Sequence, residues 1–202
     1  MRSATTCKTC RRLGVSVCGR EKCAIKRKPY PPGVHGRSFR RGVSEFGSQL
    51  REKQKVKFSY GLRERQFRNY VEAATSQKNM AAGDALLELL ELRLDNVVYR
   101  LGLAPTRGAA RQMVGHGHII VNGKRVTIPS LRLKVGDELE VRQNSKTGGL
   151  FSDLGIKIKK ITTPAWLTLD KENFKAKVSS RPEVMELGKN YNITSIIEYY
   201  SR

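Results

Sequence analysis

Apolar positions recur at three- and four-residue spacing at Leu94, Val97, Val98 and Leu101, which predicts one buried face of a short helix. Asp95 or its neighbour is the expected cap of that helix, and Gly102 its end. Thr106, after Pro105, supplies an N-cap for a second helix whose inner side carries Ala109, Ala110, Met113 and Val114. Gly115 and Gly117 stop it. Ile119 and Val121 then alternate with polar neighbours, and Asn122-Gly123 is a strong two-residue hairpin signal, so Lys124, Arg125 and Val126 read as the return strand. Leu131–Leu133 and Glu138–Val141 read as a further strand pair around Val135-Gly136-Asp137. The expectation for Arg93–Arg142 is two short helices on a small antiparallel sheet, with Arg107 and Arg111 four apart on one helix face and Lys124 and Arg125 at the hairpin.

The flanks are patterned too. Ser44 is the expected N-cap of a helix carrying Phe46, Leu50 and Val56, broken near Ser59-Tyr60-Gly61. Leu62, Phe67, Tyr70, Val71 and Ala74 mark the apolar stripe of a second helix. A third begins at Gly83-Asp84 with Leu86, Leu87, Leu89 and Leu90 inside. Gln143–Gly149 is polar and reads as a loop. Leu167–Leu169 and Phe174–Val178 alternate and read as a hairpin, with Trp166 as a core anchor. Asn192 is a candidate cap for a terminal helix with Ile193, Ile196, Ile197 and Tyr200 on one side.

Charge changes the picture from fold to partner. The 202 residues carry a net charge of +21, from 39 basic and 18 acidic side chains. Residues 1–68 alone hold 19 basic against four acidic residues, a net of +15. Such an excess repels itself in a compact fold, and a polyanion offsets it. Nucleic acid is the leading partner and an anionic membrane surface its rival. No apolar run approaches the roughly 18 residues of a spanning helix, no signal peptide opens the sequence, and the cations are spread through folded-looking segments, so no membrane partner is expected.

Cys7, Cys10, Cys18 and Cys23 are the only cysteines and follow the spacing C-x2-C-x7-C-x4-C. Four thiolates can close a tetrahedral zinc site, and the two-residue gap lets one backbone turn present the first pair. Lys8, Arg11, Arg12, Lys22 and Lys26 nearby favour thiolates and offset a tetrathiolate centre. A segment this short and basic has no expected core, so the metal would supply its folding energy. The expectation is one structural Zn2+ per chain; an iron–sulfur centre, free thiols, two disulfides and ligation by His35 are the alternatives.

The run RLDNVVYRLGLAPTRGAARQMVGHGHIIVNGKRVTIPSLRLKVGDELEVR, together with YPPGVHG at Tyr30–Gly36, the basic helical block Gln49–Tyr70, PAWLTLDKENFKAKV at Pro164–Val178 and the closing EYYSR, resembles the small-subunit ribosomal protein S-four family. These blocks cover about three quarters of the chain, in the family's order. The resemblance implies an α+β fold: a basic Cys-rich arm with a zinc knuckle (1–43), a helical domain (44–92, completed by 183–202), and an inserted RNA-binding domain of short helices on a small antiparallel sheet (93–182, core 93–142). It implies that the terminal segment packs back on the helical domain. It implies a structural component of the cytoplasmic small subunit that binds the 5′ domain of its ribosomal RNA early in assembly and contributes to accuracy. Neighbouring ribosomal proteins, S-five among them, and messenger RNA where it enters the particle are the implied further partners.

Candidate RNA contacts follow from charge placement and from that resemblance. In the arm they are Arg11, Arg12, Lys26, Arg27, Lys28, Tyr30, His35, Arg37, Arg40 and Arg41. In the helical block they are Arg51, Lys53, Lys55, Lys57, Arg63, Arg65 and Arg68, with simple solvation as the alternative. In the module they are Arg107, Arg111, His116, His118, Lys124 and Arg125. Two rival functions use the same module. An RNA-modifying enzyme would use Arg93-Leu94-Asp95 catalytically, but a helix start suits Asp95 better and no length remains for a catalytic domain. A ribosome-associated factor would lack the basic front and the EYYSR block. No catalytic residue is expected.

Overall fold

Cys7 and Cys10 fall on one turn of a seven-residue helix, α1 (Cys7–Leu13). Gly14 ends it in the left-handed conformation (φ 78°), donating its N–H to the Cys10 carbonyl at 2.9 Å. The chain then runs through two 3-10 turns, Ala24–Lys26 and Val34–Arg37. This computed structural model describes residues 6–38, 42–146, 162–171, 173–182 and 191–201. The arm is not coreless: Cys10, Leu13, Val17, Cys18 and Cys23 are buried together, with Cys7, Ile25 and Phe58 against them. The thiols are themselves the apolar filling that the sequence lacked elsewhere.

Two units divide the chain: Met1–Leu87 with Val184–Arg202, and Glu88–Glu183. In the first, α2 (Glu45–Ser59) starts where Ser44 Oγ accepts the Gly47 N–H at 3.2 Å. It stops at Tyr60, and Gly61 (φ 62°) turns the chain away. α3 (Glu64–Thr75) buries Phe67, Val71 and Ala74, and α4 (Ala82–Glu91) starts in this unit and ends in the second. The terminal helix, Ile193–Ser201, is capped by Asn192, whose Oδ1 accepts the Ser195 N–H at 3.2 Å. It lies against α2 and α3. Tyr200 donates its hydroxyl to Glu64 at 2.8 Å, Gln49 donates to Glu198 at 3.1 Å, and the Phe46 and Tyr199 rings sit 5.5 Å apart.

In the second unit, α5 (Leu94–Arg100) and α6 (Arg107–Gly115) cover one face of a five-stranded antiparallel sheet. Thr106 Oγ1 caps α6 by accepting the Ala109 N–H at 3.2 Å. The strands are β1 (Ile119–Val121), β2 (Lys124–Val126), β3 (Glu138–Val141), β4 (Leu167–Asp170) and β5 (Lys175–Val178), in the order β2-β1-β3-β5-β4. Register puts Ile119 opposite Val141 and Val121 opposite Leu139, so both pairs face the helices. Their neighbours Glu138 and Glu140 pair with Lys177 and Lys175. The β1–β2 turn has Asn122 at φ 49° and Gly123 at φ 75°, the left-handed pair that a two-residue hairpin needs. Trp166 is buried in this core, as expected.

Three local expectations change. Leu131–Leu133 does not pair with β3: Leu131 and Leu133 exchange backbone hydrogen bonds with Leu94 and Leu92, at 2.9 Å each. Those carbonyls also explain Asp95, which does not cap α5. The helix's first N–H groups are satisfied from the Pro129–Leu131 loop, at 2.9 and 3.1 Å, which frees the carboxylate for other work. Within Gln143–Gly149, a short helix α7 (Gln143–Lys146) replaces loop, and residues 147–149 lie outside the described residues.

Candidate nucleic-acid interface and metal centre

The arm's aromatic residue is held by cations. Arg11 donates from Nε to the Tyr30 carbonyl at 2.9 Å and from Nη2 to the Pro31 carbonyl at 3.1 Å. Its guanidinium lies 4.8 Å from the Tyr30 ring, and that of Arg37 lies 4.7 Å from it. Arg37 also donates to the Tyr30 hydroxyl at 3.3 Å, and this bond draws the phenol below its ordinary pKa. Gly36 is required here, since a Cβ would stand 2.1 Å from the Pro31 carbonyl oxygen. Arg12, Lys26, Arg27, Lys28, His35 and Arg37 are exposed; Arg11 is half-buried. Arg40 and Arg41 lie outside the described residues.

The cysteines converge. The Sγ atoms of Cys7, Cys18 and Cys23 all lie within 4.8 Å of one another. Cys10, fully buried, meets Cys18 and Cys23 through thiol hydrogen bonds. All four thiols are unbridged. Burial, reinforced by Cys18 and Cys23, pushes the Cys10 thiol up to about 12. At Cys23 burial also raises the pKa, but hydrogen bonds from the Ile25 backbone, Ser16, Cys18 and Cys10 outweigh it and bring the thiol down to about 7. Zn–S bonds of about 2.3 Å place tetrahedral sulfurs about 3.8 Å apart, so a small contraction of this trio suits one ion. His35 is exposed on its own turn and is not among the clustered donors.

On the helical block the cations split into two groups. Arg51, Arg63, Arg65 and Arg68 are exposed, Arg68 beside Glu72 at 2.8 Å. Lys53 is buried, contrary to the expectation of a solvent- or RNA-facing side chain. Its Nζ donates to Glu64 at 2.7 Å and lies 4.5 Å from the Tyr199 ring. Lys57 takes the other Glu64 oxygen at 2.7 Å, and Lys55 pairs with Glu52. Burial raises the Glu64 carboxyl, but hydrogen bonds from Lys53, Lys57 and Tyr200 more than offset it and hold it at about 2. The physical reason is the terminal helix, whose Tyr199 and Tyr200 cover Lys53.

In the module the arginines are tethered from below. Arg111 donates from Nε (2.8 Å) and Nη2 (2.6 Å) to Asp95, which also accepts from Arg93 at 2.9 and 3.0 Å. Arg107 donates from Nε to Asn96 Oδ1 at 2.7 Å, with its guanidinium 4.5 Å from the Tyr99 ring. Both arginines are half-buried, whereas Lys124 and Arg125 are exposed. Arg125 donates to the His116 carbonyl at 3.0 Å, and its guanidinium lies directly over Gly117, where a Cβ would be 2.1 Å from Nε. His116 is exposed; its ring is 5.9 Å from that of His118. His118 is hydrogen-bonded to Ser145 at 2.9 Å. Burial, then the charges of His116, Arg125 and Arg142, holds the His118 pKa down.

Glu91, Arg93, Asn96 and Arg100 belong to this site and were not expected in it. A signal was present: charged and amide residues interrupt an otherwise apolar stretch, LLELLELRLDNVV, where only mutual pairing makes burial tolerable.

Among the described residues no helix is long and apolar enough to cross a membrane. The family model for the ribosomal protein S4/S9 N-terminal domain matches residues 2–91, and that for the S4 domain matches residues 92–139. The small ribosomal subunit protein uS4 of Caldicellulosiruptor bescii is 48% identical over 202 residues, covering 97% of this chain and 96% of its own length. That of Pelodictyon phaeoclathratiforme is 45% identical over 195 residues, covering 96% of each chain. That of Syntrophomonas wolfei is 45% identical over 204 residues, covering 98% of this chain and 97% of its own. A cationic arm gathered on four cysteines, a helical unit closed by its own terminus and an arginine-faced module thus occur in one sequence that matches these proteins throughout, and the chain belongs to the uS4 family of small-subunit ribosomal proteins, which are not enzymes.

Proposed function

We propose that this chain is a structural constituent of the small ribosomal subunit that binds the 5′ domain of its RNA directly, at a junction of several helices, and so nucleates assembly. The observations that support this reading are the four cations carried by α6 and the β1–β2 hairpin, Arg107, Arg111, Lys124 and Arg125, together with the net charge of +15 in residues 1–68 of the sequence. Phosphates crowded at a junction are the partner such cations suit, by shape and backbone more than by base identity. The exposed arginines of α3 and the arm extend the same chemistry. Contact with ribosomal protein S-five, with messenger RNA where it enters the particle, and a contribution to accuracy are further parts of this proposal, supported by family membership alone.

Chemical footprinting of small-subunit RNA tests it. Protections confined to the 5′ domain are expected on adding the protein to naked RNA; protections only in other domains would contradict it.

The four cysteines are proposed to hold one zinc ion. The ion would neutralise thiolate charge and tie α1 to the segments carrying Cys18 and Cys23. Elemental analysis of chelator-washed protein is expected to return one zinc per chain. Iron in its place, or no metal, would remove the ion from this reading.

A further inference from the structure

Gly117 closes the turn between α6 and β1, donating its N–H to the Val114 carbonyl at 2.8 Å with φ at 74°. That φ suits glycine, or asparagine at modest strain. It does not explain what occupies the place of the missing side chain. A Cβ at Gly117 would stand 2.1, 2.6 and 2.7 Å from Nε, Nη2 and Cζ of Arg125. Gly14, Gly33, Gly123 and Gly136 share the sign of φ, yet a Cβ at any of them would meet nothing within 4 Å. At Gly117 alone of these five, a guanidinium fills the gap. Its Nη2 also donates to the His116 carbonyl at 3.0 Å. Backbone beneath and a carbonyl beside thus hold a β2 side chain against the end of α6.

Both holding groups are neutral. Register sets Arg125 and Glu140 on one sheet face with Ile120 between them, so that carboxylate lies two strands away, about 10 Å, and it pairs with Lys175 at 3.6 Å. Arg125 is exposed, as are Lys124 before it and His116 beside it. A planar fork fixed in place with its charge intact suits a phosphate, since the rotamer entropy of ordering it is lost on folding and not on binding. An arginine on a helix-end carbonyl also steadies the helix, and that structural role predicts different outcomes below.

We propose that Gly117 is a positioning residue for RNA binding: by lacking a side chain it lets the Arg125 guanidinium lie on the α6–β1 turn, tethered to the His116 carbonyl, where it meets an RNA phosphate. This rests on the reading that Arg125 contacts RNA.

The test is a double-mutant cycle on the full chain, read as affinity for 5′-domain RNA at fixed salt, well below the unfolding temperature. Arg125→Ala is expected to weaken binding roughly tenfold, the scale of one charge-assisted hydrogen bond, and to lower the salt slope by about one. Gly117→Asn keeps a residue that tolerates positive φ, as Asn122 does at 49°, while its Cβ displaces the guanidinium. It should weaken binding at least roughly threefold, yet cost nothing further in the Arg125→Ala background. Arg125→Lys keeps the charge but lacks the fork, so it should bind nearly as weakly as Arg125→Ala; this variant decides the matter should Gly117→Asn not fold. A Gly117→Asn protein that unfolds at lower temperature but binds like the parent would make the glycine structural and overturn the proposal. So would a Gly117→Asn loss that adds fully to that of Arg125→Ala, or parent-like binding by Arg125→Lys beside a weakened Arg125→Ala. Unchanged binding by Arg125→Ala would remove Arg125 from the interface and the proposal with it, leaving the protein's reading as a 5′-domain binder intact; a parent that does not bind that RNA would sink both.

Discussion

Arg107 and Arg111 sit one helical turn apart, yet their removal should have different consequences, because one ends on a neutral amide and the other on a buried carboxylate. Arg111→Ala strips Asp95 of one of its two cations. Breaking a buried ion pair outright costs about 3–5 kcal/mol; Arg93 remains, so a loss below that range but above about 1 kcal/mol is expected by urea unfolding. Arg107→Ala takes the donor from the buried Asn96 Oδ1, a neutral acceptor, and should cost about 1 kcal/mol, less than Arg111→Ala. Equal effects would mean that Asp95 does not depend on Arg111. Charge reversal at Arg111 sets a second carboxylate against buried Asp95 and is expected to cost more stability than Arg111→Ala. The periodicity of α5 and α6 was legible from sequence, and so was the placement of Arg107 and Arg111 on one face of α6. The role of Asp95 was not, since its partners include a residue 16 positions away and the helix start is satisfied by a loop that no local pattern announces.

Elements whose signals are local emerged as their sequences suggest. Ser44, Thr106 and Asn192 cap helices, and Asn122-Gly123 turns a hairpin, because each needs only residues within three positions. Thr106→Ala should destabilise the module by about 1 kcal/mol, the worth of an N-cap bond, as read by denaturant midpoint. Segments whose partners are distant behaved otherwise. Leu131–Leu133 pairs with Leu92 and Leu94 at the entry to α5, and Lys53 turns inward because the terminal helix brings Tyr199 and Tyr200 over it. The clasp on Glu64 gives that helix a pH dependence. A carboxyl lowered from 4.5 unfolded to about 2 folded contributes stability above 4.5 and loses it as pH falls towards 2. Unfolding of the full chain should show this acid limb, and Glu64→Gln should flatten it. An unchanged limb in the variant would assign the acid sensitivity to other carboxyls.

At the scale of the whole chain, composition was the most informative property, because a net charge of +21 demands a polyanion whatever the fold. What composition overstated was the number of cations on offer: Lys53 is spent on Glu64, and Lys57 shares that carboxylate. The thiol cluster has a matching consequence. Cys10, Cys18 and Cys23 form the arm's small core, and Arg11, one residue past Cys10 on α1, holds the Tyr30–Pro31 segment. Chelation should therefore increase amide exchange at Tyr30–Arg37 as well as around the cysteines; protection unchanged in both would show that the arm folds without an ion. The most direct test of the central claim is the salt dependence of binding to 5′-domain RNA. Each neutralised phosphate contributes about −0.7 to −0.9 to the log–log slope, so cations from the arm, α3 and the module acting together should give a slope on the order of −5 or steeper. A slope near zero would contradict the claim that this protein is held to RNA through its phosphates.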